Sequence, residues 1–298
     1  MISIIVSSYK EEYFERLKKN ISETIGVSYE IIRIWNPNSI GICEAYNRGA
    51  SQAVYPYLCF CHEDMVFNTT NWGTIAVEHF NINLDLGLIG VAGSAYKPYM
   101  LSGWGSAWGS QSIYYYLNQA DQVAKRTEEV RINIKEGIYL NQTVTVDGCF
   151  LFTTRKVYSE ITFDDRTFKG YHCYDVDYSI QVGLKYKVGV ISNILITHLS
   201  LGSYDYTWLE DTVQLHKKWK KKLPLKVGSI SKSESLLCEL GAFQFVYEKV
   251  LLFNKGARYL SLFSLSGKFI TLVGLLNWIR LNSKLLASLT GAKIGRAK

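Results

Sequence analysis

The first fifth of the chain alternates between strand-like and helix-like segments, and this alternation constrains the fold more than any other feature. Ile2 to Ser7 is an almost continuous β-branched run, typical of a strand covered on both faces in a parallel sheet. Similar runs follow at Glu30 to Trp35 and Tyr57 to Cys61, and apolar residues at helical spacing separate them, from Phe14 to Ile25 and from Cys43 to Ala53. Strands joined in this way require right-handed crossovers. The sequence therefore predicts an α/β sandwich on a mostly parallel sheet.

Polar residues stand at the point where each of these three strands ends. They are Ser7 to Tyr9, Asn36 to Asn38 and His62 to Asp64. Open α/β sheets bind ligands beyond the carboxyl ends of their strands. We therefore expect a ligand site at this edge of the sheet.

The middle of the chain has a looser pattern, between Tyr96 and Gln142. Its first part mixes Gly, Ser and aromatic residues, including Trp104 and Trp108, and predicts a flexible loop followed by a charged helical segment. Strands are predicted again at Thr145 to Thr153 and around Val188 to Thr197.

Charge divides the chain into two regions. Residues 1–216 contain 17 Lys and Arg and 23 Asp and Glu, whereas residues 217–298 contain 16 Lys and Arg and only three acids. The change follows a break near Lys217 to Pro224, after which three helical segments are predicted. Such asymmetry indicates two regions with different partners. We predict an α/β domain over residues 1–216 and a basic helical region over residues 217–298.

The six cysteines indicate a reducing environment. No two of them form a C-x-x-C pair and most lie in apolar surroundings, which is typical of buried thiols rather than of a disulfide framework. No signal-peptide pattern opens the sequence, since Met1 leads directly into the first predicted strand. We expect a cytoplasmic protein.

The triplet His62-Glu63-Asp64 is a candidate metal site. Carboxylate oxygens at a strand end suit a hard divalent cation, Mg²⁺ or Mn²⁺, that also binds a diphosphate. Such an ion neutralises the charge that develops on a departing nucleoside diphosphate. The alternative is an acidic turn in contact with solvent, and the triplet alone does not decide between them.

Two later segments carry further titratable groups. Asp175 and Asp177 lie beside apolar residues, and a carboxylate held near an acceptor hydroxyl can remove its proton, as an inverting displacement requires. The alternative is that both acids start a helix, where they favour its dipole. His198 closes an apolar run; it is either a hydrogen-bonded structural residue or the imidazole that completes a mixed nitrogen and oxygen metal site with the triplet.

Five motifs in this order resemble family 2 glycosyltransferases of the GT-A fold. They are the opening ISIIVSSYK, the polar end of the second strand, G-x-x-x-A-x-N-x-G from Gly41 to Gly49, the x-E-D triplet, and D-x-D-Y followed by H-x-S. The most similar subgroup is bacterial; its triplet begins with His and its late motif reads F-H-x-Y-D-x-D, here Phe168 to Asp177. The resemblance covers about residues 2–210. It implies a Rossmann-like α/β/α sandwich with a C-terminal helical extension.

The resemblance also implies roles for single residues at the donor site. The expected nucleotide contacts are Ser7, Tyr9, Asn36, Asn47 and Glu63. Asn36 stands where the family usually has an Asp that recognises the base, and a neutral amide can pair with several bases.

The metal, base and acceptor positions follow in the same way. Asp64 is implied as the direct ligand of Mn²⁺ or Mg²⁺, with His62 and His198 beside it. Asp175 is implied as the catalytic base, and Asp177 competes for that role because Tyr174 replaces the family's Glu. The residues assigned to acceptor binding are Trp104, Trp108 and His172.

The basic region contains the apolar run Tyr259 to Ile279. It is long enough to span a bilayer, but Lys268 and several Ser and Gly residues argue against this. With Arg258 and Arg280 on either side, it is typical of a helix lying on anionic lipid. The alternative is a helical pair packed on the α/β domain with solvated cations. No DNA- or RNA-binding motif accompanies the charge, so nucleic acid is not an expected partner.

Together these features predict a glycosyltransferase. It is expected to move a sugar from a nucleotide-sugar donor to a glycan or lipid-linked acceptor, with inversion, in cell-surface polysaccharide assembly at the inner face of the plasma membrane. One alternative is a non-catalytic nucleotide- or glycan-binding protein, favoured by the departures at Asn36 and Tyr174. A nucleotidyltransferase or metal-dependent hydrolase fits less well, because SSYKEEY lacks the Gly-rich phosphate loop expected after the first strand.

Overall fold

The predicted alternation of strands and helices is present from the start of the chain. The computed structural model describes residues 1–105, 107, 109–121, 126–200, 202, 204–250 and 256–290. The first elements are β1 (Ile2–Ser8), α1 (Glu11–Thr24), β2 (Tyr29–Trp35), α2 (Ile42–Gln52), β3 (Tyr57–His62), β4 (Met65–Phe67), α3 (Trp72–Ile82), β5 (Leu86–Gly90), β6 (Ala92–Ser94), β7 (Tyr96–Lys97), β8 (Ile113–Asp121) and β9 (Arg126–Ile132).

The second half continues with short strands and then becomes helical. Its elements are β10 (Leu140–Thr143), β11 (Thr145–Val146), β12 (Phe150–Thr154), α4 (Arg155–Glu160), α5 (Tyr174–Gly183), β13 (Lys187–Ile191), β14 (Ile196–His198), α6 (Tyr206–Trp219), β15 (Leu225–Lys226), α7 (Lys232–Val250), α8 (Gly256–Ser264), α9 (Gly267–Val273) and α10 (Leu275–Thr290).

A seven-stranded central sheet has the order β10-β13-β5-β12-β3-β1-β2. Strand β1 pairs in parallel with both β2 and β3, and β13 pairs in parallel with β5. Strand β12 is antiparallel to both β3 and β5, and β10 is antiparallel to β13. Five strands therefore run in one direction, and only β12 and β10 are reversed. This confirms the predicted, mostly parallel sheet.

Helices cover both faces of this sheet. Successive side chains of a strand point to opposite faces. Accordingly, Ile4 belongs to an apolar cluster that contains Leu17 of α1 and Trp72 of α3, and Ile5 belongs to a second cluster that contains Tyr46 of α2. All five side chains are fully buried. The predicted α/β/α sandwich is confirmed.

A second sheet occupies the region that was expected to be a loop and a helical segment. Its order is β11-β6-β8-β14-β4, and β9 pairs with β8 as an antiparallel hairpin. The helical expectation is wrong for this hairpin. Ile113, Tyr115 and Leu117 alternate inward along β8, but three consecutive tyrosines and a charged β9 hide that period of two in the sequence. Trp108 lies outside the described residues.

Two segments predicted as single strands each divide between the two sheets. Thr145 to Thr153 becomes β11 in the second sheet and β12 in the central sheet, and the later run becomes β13 in the central sheet and β14 in the second. Asp147 and Gly148 lie at the first crossing. At the second, β14 pairs with β4, so that His198 lies opposite Met65. These crossings position the candidate active site.

The C-terminal helices pack against the α/β domain. Phe243 of α7, Leu260 of α8 and Phe269 of α9 are buried in the same cluster as Ile5. Helix α6 runs through the boundary between the two predicted regions. The helices described after β15 number four rather than three, because Gly274, at φ 78°, separates α9 from α10. Among the described residues, each helix is too short or too polar to cross a bilayer.

A buried lysine ties the segment after β7 to α6. The Lys97 ammonium donates hydrogen bonds to the carbonyls of Ser102 and Gly103, at 2.7 and 3.0 Å, and to His216 Nε2 at 3.0 Å. Burial lowers the pKa of Lys97 to about 7. The ammonium is kept in place by acceptors on every side, which buried charges require.

A buried carboxylate ties the same segment to α7. Glu239 accepts hydrogen bonds from the backbone N–H groups of Tyr99 and Met100, at 2.8 and 3.0 Å, and from the Tyr96 hydroxyl at 2.9 Å. The side chain is fully buried. The C-terminal helices are therefore joined to the α/β domain by polar contacts as well as by apolar packing.

We predict that Glu239→Ala lowers the free energy of unfolding by about 3 kcal/mol, since three buried donors lose their acceptor. The measurement is urea denaturation followed by circular dichroism. The control is Glu248→Ala in the same helix, whose carboxylate is exposed and accepts from Gln244; its effect should stay below about 0.5 kcal/mol. Equal effects of the two substitutions would contradict the role given to Glu239.

Candidate active site

The carboxyl ends of three neighbouring strands bring the predicted polar residues to one edge of the central sheet. Across β1, Ser7 lies opposite Ile34 of β2 on one side and His62 of β3 on the other. The polar segments that follow these strands are therefore neighbours in space. This is the edge where α/β sheets bind ligands.

Three side chains at this edge form a cluster with the geometry of a metal site. His62 Nδ1 lies 3.3 Å from His198 Nε2 and 4.0 Å from Asp64 Oδ1, and His198 Nε2 lies 3.4 Å from Asp64 Oδ1. An ion with ligand distances of about 2.1 Å fits among atoms spaced in this way. The pairing of β14 with β4 supplies His198, from more than a hundred residues along the chain.

The charges in the cluster favour a cation. Burial alone would raise the pKa of Asp64, but the hydrogen bond and charge of His198, with the charge of His62, hold it well below its usual value. Burial, and then His198, lowers the pKa of His62. Burial opposes protonation of His198, but its contacts with Asp64 outweigh this and raise its pKa. The shifts favour an anionic Asp64 beside a neutral His62, which are the protonation states that a metal ion requires of these ligands.

Tyr174 orients His62 from behind the cluster. Its hydroxyl lies 2.7 Å from His62 Nε2. Because Nδ1 faces the cluster, we assign the ring proton to Nε2, which donates it to the Tyr174 oxygen. Gly148 makes room for this contact, since a Cβ there would lie 2.1 Å from the Tyr174 hydroxyl. The sequence analysis treated Tyr174 only as a replacement for Glu and did not predict this role.

Asp175 lies in the first turn of α5 and faces the turn that connects the two sheets. Its Oδ2 accepts a hydrogen bond from the Gly148 N–H at 3.0 Å. Burial, followed by the negative charge of Asp147, raises the pKa of Asp175 to about 7. A carboxyl group with a pKa near neutrality is suited to proton transfer.

Asp147 is a residue that the sequence analysis missed. Its Oδ1 accepts from the Cys149 N–H at 2.9 Å, and its charge acts on Asp175, His62 and His198. The only signal in the sequence was an acidic residue directly before a glycine inside a predicted strand. This signal is weak because the pattern from Thr145 to Thr153 predicts one continuous strand.

Glu63 joins the metal-site turn to the loop after β1. Its carboxylate accepts from the backbone N–H groups of Tyr9 and Lys10, each at 3.2 Å, and its side chain is buried. The contact holds the start of α1 against the end of β3. Tyr9 itself is 48% exposed and leaves its ring open to a ligand.

Asn36 is buried at the end of β2. Its amide nitrogen donates to Ser7 Oγ at 3.2 Å, the Ile40 carbonyl at 3.0 Å and the Tyr171 hydroxyl at 2.8 Å. The Tyr171 ring is 39% exposed, and Tyr9 lies close enough to influence its pKa, which burial and then Tyr9 raise. Asn36 thus positions the exposed ring of Tyr171, which lies near Tyr9 at the strand ends.

Two of the predicted site residues contact other parts of the protein. The Asn47 amide donates to the Phe163 carbonyl at 2.9 Å and accepts from the Tyr158 hydroxyl at 2.6 Å. Asp177 is 1% exposed, pairs with Lys218 at 2.8 Å and accepts from Trp219 Nε1 at 2.7 Å. Of the two acids in the late motif, Asp175 is the one that contacts the Gly148 turn.

The residues assigned to acceptor binding are separated in the sequence. The half-buried ring of Trp104 stacks on Tyr115 with 6.1 Å between ring centroids. His172 Nε2 lies 3.5 Å from Asp205 Oδ1 at the start of α6, and burial lowers the pKa of His172. Trp108 is outside the described residues.

Comparison with solved structures gives matches at low sequence identity. GalNAc-T7 with UDP, GalNAc and Mn²⁺ matches 78% of this chain and 53% of its own, at 11% identity and a TM-score of 0.49, so the chain spans about half its length. Mannosyltransferase PcManGT from Pyrobaculum calidifontis, with GDP-Man and Mn²⁺, matches 98% of this chain and 86% of its own, at 11% identity and a TM-score of 0.47. TarS residues 1–349 from S. aureus, in complex with UDP, matches 98% of this chain and 87% of its own, at 11% identity and a TM-score of 0.47.

A search of curated protein sequences gives no match. A family model described as a glycosyltransferase-like family matches residues 3–217. That match runs from β1 into α6 and includes His62, Asp64, Asp147, Asp175 and His198. It confirms the resemblance to family 2 glycosyltransferases, and the chain belongs to this glycosyltransferase-like family.

Proposed function

We propose that the protein is a metal-dependent, inverting glycosyltransferase that moves a sugar from a nucleotide-sugar donor to a glycan or lipid-linked acceptor. The observation that carries the proposal is the cluster of His62, Asp64 and His198 at the carboxyl edge of the sheet, with the buried Asp175 anchored to the neighbouring turn. Divalent-cation ligands and a carboxyl group suited to proton transfer are what this reaction requires of a protein.

The cluster would hold Mn²⁺ or Mg²⁺. When bound, the ion would neutralise the charge that develops on the leaving nucleoside diphosphate. Tyr174 fixes the His62 ring so that Nδ1 faces Asp64 and His198, where it would be available to the ion, and Glu63 holds the loop after β1 beside this cluster.

Asp175 is proposed as the base that removes the proton of the acceptor hydroxyl. Its Oδ2 is held by the Gly148 N–H, which fixes the direction of the carboxylate. Inversion requires a base on the face of the sugar opposite the leaving group. The charge of Asp147 helps to keep the pKa of Asp175 within the range useful for proton transfer.

The donor base is proposed to lie against the exposed rings of Tyr9 and Tyr171. Both rings offer an apolar face, and ring stacking tolerates more than one base. Asn36 donates to Tyr171 and Ser7 and so supports this platform from below. Asn47 supports the segment near Phe163 rather than this platform.

The acceptor is proposed to belong to cell-surface polysaccharide assembly at the inner face of the plasma membrane. The support is the basic C-terminal region, which contains 16 Lys and Arg and three acids and is joined to the α/β domain by buried hydrogen bonds of Glu239. Trp104, Trp108 and His172 are the proposed acceptor contacts. The second candidate function, a binding protein without turnover, is favoured by Tyr174, which stands in the late motif without a carboxylate.

We predict that Tyr174→Phe weakens Mn²⁺ binding by about tenfold, because the hydroxyl that orients His62 is lost. Titration of Mn²⁺, followed by electron paramagnetic resonance of the free ion, measures this without any requirement for turnover. The matched control is Tyr178→Phe, which removes a hydroxyl one turn further along α5. Unchanged Mn²⁺ affinity in Tyr174→Phe would show that the hydroxyl does not support the metal site.

We predict that release of nucleoside diphosphate rises with pH through an apparent pKa of about 7, because Asp175 must lose its proton to act as a base. Asp175→Asn should reduce kcat by about 10²-fold or more while nucleotide binding persists. The measurement is a pH series with the best donor from a panel of nucleotide sugars, in Mn²⁺ or Mg²⁺.

Two variants serve as controls for this pH dependence. Asp147→Asn removes one of the charges that raise the pKa of Asp175, so the rise should move to lower pH, although burial keeps part of the shift. Asp177→Asn should lower stability through its contact with Lys218 and leave the pH dependence in place. Nucleotide binding with no turnover at any pH would favour the second candidate function.

A further inference from the structure

Helix α10 has two apolar faces, and one of them packs against the described part of the α/β domain and its neighbouring helices. Leu281 and Leu285 are buried in the core cluster, and the Trp278 indole donates to the Ser264 carbonyl at 2.6 Å. A helix attached to the surface of a protein normally needs one apolar stripe. The opposite side of α10 is therefore expected to be polar, but it is not.

The second face of α10 is a solvent-exposed aliphatic stripe. Its members are Leu275, Leu276, Ile279 and Leu286, exposed by 60%, 84%, 47% and 62%. Helical geometry places Leu275, Ile279 and Leu286 almost in line, with Leu276 beside them. Helix α8, which packs on α10, also exposes Leu262, and Leu265 is exposed directly after the end of α8. Exposed aliphatic side chains concentrated in this way indicate a surface that meets an apolar partner.

Two cations border the aliphatic stripe. Arg280 and Lys284 lie one turn apart on α10 and line a cleft of about 290 Å³ between α10 and α7. The cleft is also lined by Leu240, Gln244 and Asn277. Among the described residues, neither cation forms an ion pair with an acid. The cleft thus offers positive charge and amide groups at the border of an apolar face.

In the described part of the chain, the three acids of the basic region form no ion pair with Arg280 or Lys284 and have other hydrogen-bond partners. Glu239 is buried in its bonds to the segment after β7, Glu234 accepts from the Ser112 N–H at 3.2 Å, and Glu248 accepts from Gln244 at 2.7 Å. Helix α10 itself contains two cations, Arg280 and Lys284, and no acid.

We infer that α10 lies in the surface of an anionic lipid bilayer, with the aliphatic stripe below the headgroups and a headgroup phosphate in the cleft at Arg280 and Lys284. An in-plane helix with an apolar side and flanking cations has the chemistry for this partner. A nucleic acid would match the cations but would leave the leucines exposed to water. The inference deepens the proposed function, on which its biological meaning rests, because it brings the transferase to the surface where a lipid-linked acceptor lies.

The test is co-sedimentation of the full chain with vesicles. Neutral vesicles contain phosphatidylcholine alone, and anionic vesicles also contain phosphatidylglycerol. The wild type should bind the anionic vesicles much more tightly than the neutral ones, and added salt should weaken binding. Leu276→Ser with Ile279→Ser, and separately Arg280→Gln with Lys284→Gln, should each weaken binding on the order of tenfold.

Matched controls alter exposed residues of the same types elsewhere. Ile82→Ser with Leu84→Ser changes two aliphatic residues exposed by 79% and 89% near the end of α3, and Lys18→Gln with Lys19→Gln changes two exposed lysines of α1. Both controls should bind vesicles like the wild type. All variants should release nucleoside diphosphate in solution at the wild-type rate, so that loss of lipid binding and failure of the proposed function are distinguishable.

Three results would overturn the inference. They are absence of wild-type binding to anionic vesicles, equal binding by the α10 variants and the wild type, and a wild-type dimer that the α10 variants convert to a monomer in light scattering. The last result would assign the stripe to a second copy of this chain.

Discussion

The pairing of β14 with β4 is the contact on which the candidate active site depends. It places His198 opposite Met65, next to Asp64, and so joins two metal-ligand candidates that are far apart in sequence. Strand β3 ends at His62, and the turn at Glu63 connects this residue to Asp64. Both sheets therefore contribute to the site, and a shift of β14 by one residue would turn His198 to the other face of its sheet. The positions of the candidate metal ligands therefore depend on the register of β14 against β4.

The sequence predicted the N-terminal half of the sandwich because local signals and tertiary structure agree there. The β-branched run at Ile2 and the helical spacing from Phe14 to Ile25 are strong patterns, and both elements are buried on the faces that the patterns indicate. Polar residues at the strand ends predicted a ligand site at this edge of the sheet, and the structure brings these residues together there. Because parallel strands end at one edge, this inference required no knowledge of the remaining chain.

The remaining features depend on contacts between distant segments. The hairpin of β8 and β9 was missed because adjacent tyrosines mask its alternation, and Asp147 was missed because strands that change sheet look continuous in sequence. The contact of Tyr174 with His62 depends on the space that Gly148 leaves. The fully buried Glu239 has its partners about 140 residues away in sequence. No periodicity encodes such pairs, since each becomes visible only when the fold brings its members together.

The central claim is that His62, Asp64 and His198 hold one divalent ion. Mn²⁺ binding to the wild type and to Asp64→Asn, measured by electron paramagnetic resonance with the stoichiometry determined, tests it most directly. We predict one tightly bound ion per wild-type chain and loss of that ion in Asp64→Asn, because the substitution removes the cluster's only carboxylate ligand. Retention of the same stoichiometry and affinity in Asp64→Asn would contradict the assignment of the metal site.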